Sequence, residues 1–239
     1  MIARVYKARM LASVLLTAAG LSLLAQSTAP AAASGCEEGH RRFTPGFPRA
    51  AADGNIIPGQ TIVRARLKIG DSAVVRVVEY PRAGADLDVY NSTIIVQRGQ
   101  QQTRYLLKKL IKGGEFLRLT ETTSLCTFSG QGTVLLAFEA GATGAAQGFV
   151  IIRYSADSMD VKGFPSVYQG RIVVNRSAPN RVELWSTTTE DAALCEACRK
   201  HYIVQDCEAG QAGVECTQRP GFIGPLDPGK FMLKRIEVR

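Results

Sequence analysis

From Thr61 to Ile69 the chain alternates: Val63, Ala65, Leu67 and Ile69 are apolar, and Arg64, Arg66 and Lys68 between them are cationic. Successive side chains of a strand point to opposite faces, so this pattern predicts a strand with one dry and one wet face. Gly70-Asp71-Ser72 has turn chemistry, and the β-branched run Ala73 to Tyr80 follows it. The two runs together predict a hairpin. Further strands are expected at Ser92–Gln97, Phe116–Thr120, Thr133–Phe138 and Phe149–Tyr154, then at Gly170–Asn175, Arg181–Ser186, Tyr202–Gln205 and Phe231–Val238. Gly-, Asn- and Pro-rich breaks such as 141–148 and 177–180 separate them. Many short strands with turn signals and almost no helical period predict an all-β chain.

Tyr105 to Lys112 supports two readings. On a helix, Leu106, Leu107, Leu110 and Ile111 share a face opposite Lys108, Lys109 and Lys112, with Gly113-Gly114 as a C-terminal cap. As a strand, the same residues run into a Gly-Gly hairpin. The expected fold is an antiparallel sandwich or a compact barrel-like sheet with a disulfide-rich loop near the C-terminus. Recurrent Gly-rich turns ahead of strands keep an incomplete propeller-like arrangement as the alternative.

The ends add a compartment. Arg4, Lys7 and Arg9 precede an apolar stretch from Leu11 to Ala25, and Ala31-Ala32-Ala33 offers the small residues of a cleavage site. This is the three-part pattern of a signal peptide over residues 1–33. The apolar stretch is short for a bilayer span, which needs roughly 20 residues. The expectation is export to the periplasm, the medium or the cell surface. An uncleaved N-terminal anchor and lipidation at Cys36, after Ala33-Ser34-Gly35, are the alternatives. Residues 34–60, rich in Gly and Pro, read as an irregular lead-in to a β-rich domain at 61–239, with 141–148 as a possible subdivision.

Charge is modest once the leader is set aside. The leader holds three cations and no acid, so 26 Lys and Arg face 21 acids in the remainder, a balance of +5. That is too weak for a dedicated nucleic-acid binder.

Six cysteines stand at 36, 126, 195, 198, 207 and 216. In an exported chain an even count reads first as disulfides. Cys195, Cys198, Cys207 and Cys216 crowd one segment, and if they pair among themselves Cys36 is left for Cys126. The alternative is a zinc site on Cys195, Cys198, His201 and Cys207, because thiolates and an imidazole at this spacing can wrap a tetrahedral ion. Haem attachment fails, since Arg199 stands where the histidine is required.

Other chemistry falls away on inspection. Gly70-Asp71-Ser72 resembles an esterase nucleophile block, but neither His40 nor His201 stands at the spacing its base requires. Gly224 to Lys230 matches the phosphate-loop frame, yet Phe231 replaces the metal-binding hydroxyl and Pro225 and Pro228 remove backbone donors. No cofactor is expected. A hydrolase with a dispersed acid/base pair and a zinc or redox module at Cys195–Cys216 stay as alternatives to a non-catalytic binding module. The contact surface expected for that module is basic: Arg64, Arg66 and Lys68 on one strand face, with Lys108, Lys109 and Lys112 beyond. An anionic envelope polymer, a lipid surface or an acidic protein would suit it. Solvated cations on edge strands also block sheet-to-sheet aggregation, which is the plainer role for the same residues.

Overall fold

A computed structural model of the chain describes residues 38–43, 61–69, 73–82, 89–126, 132–140, 146–155, 157–187, 200–219, 223–226 and 235–239. Residues 1–33, Cys36, Cys195, Cys198 and Gly70-Asp71-Ser72 lie outside them.

Three sheets account for the described residues. A front sheet runs β2 (Ile62–Ile69), β3 (Ala73–Glu79), β4 (Thr93–Arg98), β5 (Gln101–Leu106) in sequence order. A middle sheet has the order β1 (Gly39–Arg42), β6 (Arg118–Cys126), β7 (Gly132–Ala140), β8 (Ala146–Tyr154), β10 (Val167–Tyr168), with β9 (Met159–Gly163) also on β8. A back sheet has the order β14 (Val214–Gln218), β13 (Lys200–Ala209), β12 (Ala178–Thr187), β11 (Arg171–Asn175), β16 (Ile236–Val238), with β15 (Ile223–Leu226) on β13. Among the described strands only β11 and β16 pair in parallel.

The central strands β7 and β8 of the middle sheet are buried on both faces, and the sequence shows why. Val134, Leu136, Phe138, Val150 and Ile152 pack with Ala65, Leu67, Val75, Val77, Ile94 and Val96 of the front sheet. The intervening Leu135, Ala137, Phe149 and Ile151 pack with Ile172, Val174, Val182, Leu184 and Ile236 of the back sheet. An unbroken apolar run such as Val134 to Phe138 suits a strand with no wet face, whereas the alternating β2 suits an outer layer. Each Val, Leu, Ile or Phe among them contributes roughly 1.5–3 kcal/mol by leaving water. Among the described residues the sheets stack without closing on themselves, so the sandwich form is the one found, in three layers.

Four expectations change. Gly39–Arg42, inside the expected irregular lead-in, is a strand paired with β6. Residues 146–148, expected within the 141–148 break, belong to β8, which pairs with β7 from Gly132↔Tyr154 to Ala140↔Ala146. The cysteine-rich segment is sheet over its second half: β13 and β14 pair, with Cys207 opposite Cys216. Tyr105–Lys112 is both things in turn. Tyr105 and Leu106 end β5, then Leu107–Leu110 make one helical turn, α1. Leu107 in it and Ile111 just after it are buried, and Gly113 takes a left-handed conformation (φ 76°) that starts a 3-10 turn over Gly114–Phe116.

Candidate functional site

The outward face of the front sheet is built by register. Arg66 on β2 stands opposite Arg76 on β3, Arg76 opposite Ile95 on β4, and Ile95 opposite Arg104 on β5. The next row is Lys68, Val74, Gln97 and Gln102. Because Ala65, Leu67, Val75, Val77, Ile94 and Val96 point into the core, these alternate residues share the outer face. Arg66, Lys68 and Arg104 are exposed and Arg76 is half-buried. None of the four is in an ion pair among the described residues. Arg76 Nη2 donates to Gln102 Oε1 at 3.2 Å, and its Nε has no hydrogen-bond partner.

Arg64 does not belong to this face. A bulge between Val63 and Ala65 inserts one residue into β2, and a residue inserted this way re-aims its neighbours. Arg64 turns inward, its side chain 12% exposed, and its Nε lies 3.3 Å from Glu79 Oε1. Val63, which the alternation places in the core, is 57% exposed. Glu79 is buried, and its carboxylate also accepts the Leu119 N–H at 3.1 Å. Burial pushes the Glu79 carboxyl above its ordinary range, against the opposing pull of Arg64, the Leu119 N–H and Arg118.

Lys108 and Lys109 are exposed on α1, directly after Arg104 and Leu106. Lys112 is exposed too, but it lines an apolar concavity of about 720 Å³ with Gly163, Phe164 and Val214, none of which belongs to the front sheet. Arg98 donates to the Ser155 carbonyl at 3.1 Å, and Arg118 is buried against the Tyr90 ring. Arg76 and Arg104 are both absent from the expected set, and Arg76 is the one that the charge pattern along the chain gave least reason to include. Its signal was a lone Arg within an apolar strand, two residues from either end of the Val74–Val78 run.

The back sheet handles charge differently. Arg171 pairs with Glu237, Arg181 with Glu208 at 3.1 Å, and Arg239 with Glu237 at 2.9 Å. Arg219 bridges Glu183 and Asp206, which face each other across β12 and β13, and its hydrogen bonds hold the Asp206 carboxyl below the usual range. Arg171 lies over the Trp185 ring at 4.7 Å, and burial lowers its pKa to about 10. The concavity of about 800 Å³ on this sheet is lined by Arg181, Glu183, Asp206, Glu208, Glu215 and Arg239, where acids outnumber cations and both cations already meet a carboxylate.

His40 has the neighbours that acid/base chemistry would use. Its Nδ1 lies 2.9 Å from Thr123 Oγ1 and its Nε2 3.3 Å from Glu121 Oε1. Yet Glu121 is occupied: its Oε2 accepts the Arg235 N–H at 2.9 Å and its Oε1 the Ile236 N–H at 3.2 Å. Burial dominates and raises the Glu121 carboxyl above its ordinary range. Thr123 is a buried mid-strand residue. The group ties β6 to the parallel strand β16, and neither His40 nor Thr123 lines the two concavities above or a groove of about 630 Å³ at Arg153 and Asp160.

Cys207 and Cys216 form a disulfide, and Cys126 is also disulfide-bonded, to a partner outside the described residues. Cys207 is therefore removed from the zinc set with Cys195, Cys198 and His201, since a sulfur in a disulfide is no thiolate ligand. No group of His, Cys, Asp or Glu among the described residues is arranged to hold a metal ion. No helix among them is long and apolar enough to cross a membrane. No known protein family, curated protein or solved structure matches the chain.

Proposed function

We propose that this protein works outside the cytosol as a non-catalytic binding module that holds an anionic ligand on the outer face of its front sheet. The observation that carries the reading is the contrast between two sheets. Arg171, Arg181, Arg219 and Arg239 of the back sheet each meet a carboxylate, whereas Arg66, Lys68, Arg76 and Arg104 of the front sheet meet none among the described residues. Like charges set in adjacent register positions repel one another, and an anion laid across them relieves that repulsion. Lys108 and Lys109 extend the cationic surface past the end of β5. The disulfide between Cys207 and Cys216 and the leader-like first 33 residues support an oxidising destination.

The test is binding of the purified chain to dextran sulfate at several salt concentrations. Affinity is expected to fall steeply with salt and to drop in an R66E/R104E variant. R181E, which reverses an exposed but already paired cation on the back sheet, is expected to bind as the unaltered chain does. Equal losses in both variants, or binding indifferent to salt, would overturn the assignment to this face.

A further inference from the structure

The bulge that turns Arg64 inward also builds an apolar row on the same outer face. Val63 stands opposite Val78, Val78 opposite Thr93, and Thr93 opposite Leu106. Val63 and Leu106, at the two edges of the sheet, are 57% and 38% exposed. They are two of the few large apolar side chains the described surface leaves in water. The row lies two residues along β3, β4 and β5 from the Arg66–Arg76–Ile95–Arg104 row, roughly 7 Å at the rise of a strand. This face thus carries the cations of one row beside a second row whose two ends, Val63 and Leu106, are exposed while Val78 and Thr93 between them are buried, with no acid in either row.

A hydrophilic polyanion uses only the first of these lines. A bilayer of anionic phospholipid uses both, because phosphates meet the cations while aliphatic side chains enter the headgroup–acyl boundary, to a depth of roughly 5–10 Å in peripheral proteins. Building on the anionic reading above, we infer that the ligand of this face is an anionic phospholipid surface, with Arg66, Lys68, Arg76 and Arg104 on the phosphates and Val63 and Leu106 inserted. The edge positions of Val63 and Leu106 suit this role, since the two flank the sheet and can enter the lipid together without disturbing the core.

The experiment compares three chains, each checked by circular dichroism: unaltered, V63S/L106S and R66E/R104E. Each is sedimented with phosphatidylcholine vesicles, with vesicles that also contain phosphatidylglycerol, and titrated with dextran sulfate. The unaltered chain is expected to bind the phosphatidylglycerol vesicles and to leave phosphatidylcholine alone. V63S/L106S should bind those vesicles roughly tenfold more weakly, the scale of two partly buried aliphatic groups, while keeping its affinity for dextran sulfate. R66E/R104E should lose both ligands by tenfold or more. Vesicle binding unchanged in V63S/L106S, or dextran sulfate bound without vesicles, would overturn the lipid assignment and leave the anionic reading standing. Binding of neither ligand by the unaltered chain would overturn both.

Discussion

Replacing Arg64 by methionine separates a structural cation from the binding ones. Methionine keeps much of the apolar stem but removes the guanidinium, leaving Glu79 buried with one fewer partner. Removing one member of a buried ion pair costs about 3–5 kcal/mol. Here Arg64 keeps some exposure, and Arg118 and the Leu119 N–H still face the carboxylate, so the loss should sit lower, at about 2–3 kcal/mol near pH 7. For a domain of this size that corresponds to a fall in Tm on the order of 5–10 °C. The pH dependence has a definite sign. Burial already holds the folded-state pKa of Glu79 above 4.5, so its contribution is greatest below that pH and falls as pH rises through the folded pKa. Taking away Arg64 raises that pKa further and prolongs the fall. The gap between the two proteins should therefore be small near pH 4.5 and widen toward neutrality, as read by denaturant unfolding across that range. A loss under about 0.5 kcal/mol at pH 7, below what even a neutral buried contact contributes, would refute the reasoning. So would a gap that fails to narrow on acidification, or loss of dextran sulfate binding in a stable R64M protein.

The cysteines give two further tests. The Cys207–Cys216 bond closes a loop with a sequence separation of 9, and C207A/C216A should lose about 2–3 kcal/mol in denaturant unfolding by the loop-entropy relation; zinc or chelator should leave that stability unchanged, and sensitivity to either would speak for a metal site. In β1 and β6, Gly39 faces Ser124, and the Cys126 N–H donates to Glu38 Oε1 at 3.2 Å, two residues along the chain from Cys36. Non-reducing peptide mapping is therefore expected to find Cys126 joined to Cys36, and a peptide joining it to Cys195 or Cys198 would contradict this.

What could be read from the sequence depended on how many faces each strand buries. The β2–β3 hairpin was legible because Ala65, Leu67 and Ile69 alternate with Arg66 and Lys68 in the way an outer layer requires. The runs around Leu135 and Ile151 were legible as strands, but their burial between two other sheets shows only in three dimensions. The Val63–Ala65 bulge was invisible because Arg64 keeps the polar alternation intact while its side chain answers to Glu79, a partner 15 residues away in the chain. That single inserted residue moved one candidate out of the site and put Val63 on the surface. Arg76 was missed for the opposite reason: a lone cation in an apolar run gives no pattern until Arg66 is set across from it. Of β13 only Tyr202–Gln205 was read as strand, and the stretch from Asp206 through β14 as loop, because Cys207 and Ala209 supply the inward apolar positions and Asp206 and Glu208 crowd the outer ones.

Amide spectra of the isotopically labelled chain, titrated with a short sulfated oligosaccharide, locate the binding face directly. The expected shifts cluster at Arg66, Lys68, Arg76 and Arg104, spread to Lys108 and Lys109, and spare Arg181 and Arg219. Shifts centred on the back sheet, or none at saturating oligosaccharide, would contradict the assignment of this face as the one that meets an anion.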